Sequence, residues 1–378
     1  MQAPIAACTM PGMTKLSGAA LAFACLMWAG CSGDDVPAEI TPDAGDGGDG
    51  GGAAGTSSAG AGGAGGAGGA PMMDSSVGGA GGGGTGGMVD DAGPLDADVD
   101  AAHDAGSDAG AALATCLGGD EPPATWQEHW FEHEQLLNRV YFDDCVAVYF
   151  DDDVNRDEAE WLFDYMSRIW AYSLATYGPM GEGRLYAIFH QGKYGGGHPS
   201  YWYDDSHDER NVADQGGGDW REGNYDLASH EVAHIVESTA PYPRRTSPAF
   251  GLWHDSKWAE IYQYDLYVGL GMTEHAEVVF ERFTNTVDDF PRADTHWFRD
   301  WFYPLWRDYG GAQVMTRFYA LLEEHGVEGS MSWGEYVHFT SGAAGTDVKA
   351  LATAAFGWPA DWEAEWQAAR TEYPDVLY

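Results

Sequence analysis

Ser229-His230-Glu231-Val232-Ala233-His234-Ile235-Val236-Glu237 is the stretch on which the reading of this chain turns. Its two histidines stand four apart. On a helix they lie one above the other on one face and can offer their imidazoles to a single metal ion. Glu231 sits beside them, placed to take a proton from a water bound to that metal. The flanking residues favour a helix: Asn224 suits the N-cap, and Asp226 suits the first turn, where a negative charge meets the positive end of the helix dipole. Ala228, Val232, Ile235 and Val236 form an apolar stripe, and burying it would turn the imidazoles towards a cleft.

Two imidazoles do not hold zinc well, because a catalytic site uses three protein ligands and leaves a fourth position to water. Glu237 shares the histidine face but lies seven residues beyond His230, about 10 Å along a helix, too far to join both histidines on one ion. A second helix must supply the ligand, and residues 258–267 read as that helix. Glu260 is the favoured ligand; Asp265, His254 and Asp255 are the alternatives. Tyr264 and Tyr267 share the face of Glu260 at helical spacing.

His230-Glu231-Val232-Ala233-His234 matches the signature of the zincin metallopeptidases in full. Trp258-Ala259-Glu260, followed by aromatics, is similar to the ligand helix of the glutamate-type zincins, the gluzincins. The usual acid four residues after that glutamate is absent: Tyr264 stands there, and Asp265 follows one place later. Residues 303–318 around Tyr309-Gly310-Gly311, then Ser341 to Gly345 and Phe356-Gly357-Trp358-Pro359, look like the C-terminal helices of enhancin-like, mucin-targeting peptidases.

The resemblance implies an α/β fold with a small mixed sheet, an active-site helix and a mostly helical C-terminal lobe, the cleft lying between the two parts. It implies Zn2+ held by His230, His234 and Glu260, with Glu231 as the base, and hydrolysis of peptide bonds in a peptide, protein or glycoprotein. Tyr264, Tyr267, Tyr336 and His338 are open candidates for stabilising the oxyanion. In zincins the strand before the metal helix forms the upper edge of the cleft, and Lys193-Tyr194-Gly195-Gly196-Gly197-His198 stands at the matching place, although the same residues also read as an irregular loop. The alternative function is a non-catalytic surface protein of the same fold that binds protein or glycan.

The N-terminal third reads differently. Lys15 precedes an apolar run, residues 16–29, that is short for a membrane span and ends in small residues. Trp28-Ala29-Gly30-Cys31 resembles a bacterial lipobox. Residues 1–31 are therefore expected to be a lipoprotein signal ending at a lipidated Cys31, and Ser32 after it implies sorting to the outer membrane. A secreted, unlipidated form is the other possibility, so the expected location is the cell envelope or the exterior. Residues 32–114 are dominated by Gly, Ala and Asp and hold no aromatic residue and no Lys or Arg. Such a segment cannot bury enough apolar surface to offset its ordering entropy, and it reads as a disordered tether. The folded domain is expected over 115–378. Its two cysteines, Cys116 and Cys145, suggest a disulfide in an oxidising compartment.

The chain carries a formal net charge of −42, which disfavours nucleic acid and anionic membrane surfaces as partners. Membrane contact is expected through the lipid anchor alone, and the sequence leaves the oligomeric state open. The glycines at 195–197 are no phosphate cradle, since no Gly-Lys-Ser/Thr follows, and no serine sits in a Gly-x-Ser-x-Gly elbow. Helical spacing is read over 125–139 from Trp126, Trp130, Leu136 and Leu137. Strands are read at 145–150 and 184–190, a helix at 155–177 between them, and Asp151-Asp152-Asp153 as a solvated turn. Further helices are read at 278–282, 296–309 and 313–325.

Overall fold

A computed structural model of the chain describes residues 113–131, 133–239 and 247–378. The signal expected over 1–31, with Cys31, and nearly all of the tether expected over 32–114 lie outside the described residues.

The runs richest in β-branched and aromatic residues become the middle of one sheet: β3 (Val146–Phe150) and β4 (Leu185–Gln191), buried almost throughout. β1 (Thr125–Gln127), β2 (Leu136–Phe142), β5 (Gly196–Ser200) and β6 (Val212–Gly217) complete it in the order β1-β2-β3-β4-β6-β5. The pairs β3–β4 and β4–β6 are parallel and the rest antiparallel. Parallel neighbours need a long crossover, and α1 (Trp161–Tyr177), after a short turn of helix at Arg156–Ala159, supplies the one between β3 and β4.

Alternation along the strands divides the side chains between two cores. Val146, Val148, Phe150, Leu185, Ala187, Phe189 and Ala213 point to the helical side and join Leu162, Met166, Ile169 and Trp170 of α1. Ala147, Tyr149, Tyr186, Ile188 and Val212 point to the outer side, under Trp126, Trp130 and Leu137. The helix expected over 125–139 is therefore a hairpin-like pair of strands. Trp126 and Leu137 face each other across the β1–β2 register, and Trp130 comes from the connection between them. Their spacing in sequence mimics a helix, but they meet because two strands bring them to one face.

The helical part begins with α2 (Tyr225–Thr239) and α3 (Phe250–Gly269). Within α3 the backbone of His254 leaves helical values, at φ 57° and ψ −163°, a region that side-chain-bearing residues seldom enter. α4 (Thr273–Asn285), a π-turn at Phe298–Phe302, α5 (Tyr303–Asp308) and α6 (Ala312–Glu324) follow. α7 (Trp333–Ala344) opens on a capping box between Ser332 and Glu335, and α8 (Lys349–Phe356) and α9 (Ala360–Glu372) end the chain. Their buried aromatics, Trp297, Trp301, Phe318 and Tyr336 among them, continue the helical-side core. The expected class, α/β with a small mixed sheet and a mostly helical C-terminal part, is what the structure shows. Cys116 and Cys145 form a disulfide that ties the entry of the domain to the start of β3. No helix among the described residues is long and apolar enough to cross a membrane.

Candidate metal centre

α2 forms where the apolar stripe requires it. Ala228, Val232, Ile235 and Val236 are fully buried, and this sets the opposite face towards the edge of the sheet. There His230 Nε2 and His234 Nε2 lie 3.3 Å apart. Two nitrogens each about 2.05 Å from a tetrahedral zinc are themselves about 3.3 Å apart, so the pair already has the separation that the ion demands. Burial pushes His230 down to about 3, and the neighbouring His234 adds to the effect. Its imidazole is therefore neutral at pH 7 and its lone pair is free for a metal.

Glu237, excluded as a ligand by its distance along the helix, has a different part. Its Oε2 lies 3.5 Å from His234 Nδ1, and its Oε1 accepts a hydrogen bond from Trp253 Nε1 at 2.7 Å. A carboxylate on Nδ1 leaves Nε2 as the ligating nitrogen. The i, i+3 spacing was the sequence signal for this contact.

α3 runs back along α2. Glu237 near the end of α2 meets Trp253, whereas Ser229 and Asp226 near its start meet Gln263 and Tyr267. Glu260 lies between those contacts and three and seven residues from Gln263 and Tyr267, hence on the side of α3 that faces α2 and about level with His230. Its carboxylate is nearly buried. Oε1 pairs with Lys257 Nζ at 2.9 Å, and Oε2 has no hydrogen-bond partner. Burial raises the Glu260 carboxyl to about 7 against the opposing pull of Lys257. Lys257 also reaches Asp288 at 3.0 Å. Glu260 does not close a group of donor atoms within 4.8 Å of one another with the two histidines; in this structure it is turned to Lys257. A buried Glu260 oxygen without a hydrogen-bond partner, on a helix that runs along the one bearing two converged imidazole nitrogens, offers the donor types of a His-His-Glu zinc site.

The alternatives for the third ligand fare differently. Asp265 is enclosed: Oδ2 accepts from Tyr172 and Tyr177 hydroxyls, each at 2.8 Å, and Oδ1 from Trp306 Nε1 at 2.7 Å. It braces α1 and α5 against α3 and has no oxygen to spare. His254 stacks on Phe290 with ring centroids 4.2 Å apart. The side chain of Asp255 lies outside the described residues.

Glu231 is buried against the edge strand. A β-carbon built on Gly197 of β5 would stand 2.6 Å from Glu231 Oε1. The glycine-rich segment is thus the last strand of the sheet, antiparallel to β6, and Gly197 gives the carboxylate its room. Sequence reasoning placed the segment near the cleft but did not find this contact.

The oxyanion candidates are all committed elsewhere. Tyr267 OH donates to Asp226 Oδ1 at 2.7 Å, Tyr336 OH accepts from Trp301 Nε1 at 2.6 Å, and His338 meets Tyr378 OH and the Tyr373 carbonyl. Tyr264 packs among Phe280, Phe298, Tyr303 and Trp306.

No protein-family model matches the chain, and no curated protein matches it. Among solved structures it is similar to an M1 zinc metallopeptidase from Deinococcus radiodurans (9% identity, TM-score 0.27, 65% of this chain and 50% of that one). It is likewise similar to a mutant of that enzyme (10% identity, TM-score 0.27, 66% and 51%). The chain spans about half the length of these structures.

Proposed function

We propose that this chain is a zinc-dependent peptidase of the glutamate-ligand type, exported and anchored to the cell envelope. The observation that carries the reading is the 3.3 Å approach of His230 and His234 Nε2 on the helix whose Glu231 carboxylate lies against the edge strand. His230, His234 and Glu260 are the residues that would hold the ion. To reach the ion, Glu260 would turn from its pairing with Lys257.

Zinc held there supplies an acidified water and a polarised scissile carbonyl. The chain's own contribution begins with binding. β5 is the edge of the sheet, and an extended peptide can add to it as a further antiparallel strand by main-chain hydrogen bonds. Such a strand passes beside Gly197, and so beside Glu231. The Glu231 carboxylate takes a proton from the attacking water and hands it to the leaving amine. Glu237, itself held by Trp253, stands at Nδ1 of His234 and so favours Nε2 as the ligating nitrogen. The substrate class is peptide, protein or glycoprotein.

The export reading rests on the sequence over 1–31 and on the Cys116–Cys145 disulfide, which suits an oxidising compartment. Cys31→Ser is expected to move the protein from the membrane fraction to the soluble one. Retention in the membrane fraction would remove the lipid anchor from the account. The peptidase reading is tested on the full chain with His230→Ala and His234→Ala. Each is expected to abolish cleavage of a peptide library and to lower zinc content by one equivalent, and cleavage unchanged in both would contradict it.

A further inference from the structure

On the outer face of the sheet, across from α2, four side chains from three segments converge: Glu128 and His133 in the β1–β2 connection, His190 on β4 and Asp214 on β6. They are 2%, 7%, 0% and 1% exposed. His190 Nε2 lies 3.0 Å from Glu128 Oε1 and 3.1 Å from Asp214 Oδ1. Neither contact has hydrogen-bond geometry, and all three atoms are buried without a hydrogen-bond partner. The large majority of buried polar side-chain atoms in folded proteins have a partner. Here three do not, and they point at a common centre.

The opposite ends of Glu128, His190 and Asp214 are fixed, so the convergence is built. Glu128 Oε2 accepts from the Gln135 amide at 2.9 Å. His190 Nδ1 meets Asp151 Oδ2 at 3.0 Å, and Asp151 is held in turn by Lys193. Asp214 Oδ2 accepts from Trp130 Nε1 at 2.8 Å and faces His133 Nδ1 at 3.2 Å. His133 Nδ1 is also 3.5 Å from Glu128 Oε1.

We propose that Glu128, His133, His190 and Asp214 form a second, structural zinc site, separate from the one on α2. Donors bonded at about 2.0–2.2 Å to one ion at tetrahedral angles stand about 3.3–3.6 Å apart, and the 3.0 and 3.1 Å from His190 Nε2 to the two carboxylate oxygens need only a small expansion to meet that. A carboxylate on Nδ1 of a ligating histidine is the usual support of such a ligand, and Asp151 fills that place. Without an ion the two carboxylates hold protons on the imidazoles, pushing His133 up to about 9 and His190 up to about 10 against burial, and a divalent ion would take the place of those protons. Two imidazoles with two carboxylates favour zinc or a similar transition ion over calcium or magnesium, which take oxygen ligands. All four ligands come from the protein and none is open to solvent, as in structural rather than catalytic zinc sites. Such an ion would clamp the β1–β2 connection onto β4 and β6. β6 pairs with β5, whose other face lies against Glu231, so the ion would stiffen the platform beneath the α2 site without touching it.

The proposal does not depend on the peptidase reading, and one experiment separates them. The full chain and its His230→Ala/His234→Ala double variant, whose substitutions are remote from this cluster, are dialysed against metal-free buffer, and zinc per chain is measured. X-ray absorption is then recorded on the double variant. Two zinc ions in the parent and one in the double variant, with two imidazoles and oxygen ligands around the remaining ion, are expected. Adding Asp214→Asn should remove the remaining ion. One zinc in both proteins would uphold this site and count against the α2 site. A folded double variant without zinc, or one whose zinc has sulfur or more than two imidazole ligands, would overturn the proposal.

Discussion

Gly197 and Glu231 share one space: a side chain at residue 197 would begin 2.6 Å from Oε1 and 2.8 Å from Cδ and Cγ of the glutamate. The edge strand and the motif helix approach so closely that a single methyl group decides where the Glu231 carboxylate sits. Gly197→Ala is therefore expected to displace the carboxylate and lower turnover at least about tenfold. Zinc content should not change, because the atoms nearest to a side chain at residue 197 all belong to Glu231. Steady-state kinetics with metal analysis checks this, and full activity would mean that Glu231 works from another position.

Glu260 and Asp265 are five residues apart on α3, and they answer to different tests. Glu260→Ala is expected to lower zinc content and activity together, as a lost ligand should. Asp265→Ala is expected to leave zinc bound in the folded protein. It should lower stability by about 3 kcal/mol or more, since Tyr172, Tyr177 and Trp306 would lose their acceptor in a buried place. Chemical denaturation and metal content, measured on both variants, separate the two roles.

Asp226 ties the first turn of α2 to α3 and α4 through Tyr267, His275 and Arg282. Burial pushes its carboxyl up, but these hydrogen bonds and the guanidinium outweigh it and hold the group down to about 2. A depressed folded value contributes stability that is present above the ordinary carboxylate range and is lost as pH falls from about 4 to about 2. Asp226→Asn should cost about 2 kcal/mol at pH 7. The gap between variant and parent should close over that acid range, as equilibrium unfolding at a series of pH values would reveal.

The Cys116–Cys145 bridge closes a loop between residues 29 apart in sequence. Cys116→Ser/Cys145→Ser is expected to lower unfolding free energy by about 3.5 kcal/mol in the chain-entropy view. Non-reducing peptide mapping of the exported protein should recover the two cysteines joined.

The sequence made α2 legible because its motif, its apolar stripe and its acidic first turn all favour the same helix. β3 and β4 were legible because buried parallel strands read as runs of Val, Ile, Leu and aromatics. β1 and β2 were not, because Trp126, Trp130 and Leu137 are spaced like one helix face although they belong to two strands and a connection. β6 escaped notice for a different reason. Val212-Ala213-Asp214-Gln215-Gly216-Gly217 carries two polar residues in its middle, both buried, with Gln215 Nε2 bonded to the Ala228 carbonyl and Asp214 turned to the outer cluster. That cluster could not be read from spacing at all, since Glu128, His133, His190 and Asp214 meet only through strand pairing. Glu260 reads as a ligand from its early place on a second helix and from the likeness of Trp258-Ala259-Glu260 to the gluzincin ligand helix, and α3 does run antiparallel to α2. The pairing of Glu260 with Lys257 is a contact within one helix turn whose preference over a free carboxylate depends on burial, which sequence does not state.

The most direct test of the central claim compares the full chain with its Glu231→Gln variant on a peptide library, with zinc measured in both. The amide keeps the shape of the carboxylate beside Gly197 but cannot take up a proton. The account predicts cleavage by the parent, zinc retained in both proteins, and turnover lower by about 100-fold or more in the variant. Equal cleavage by the two proteins, or a zinc-bearing parent that cleaves no peptide, would contradict it.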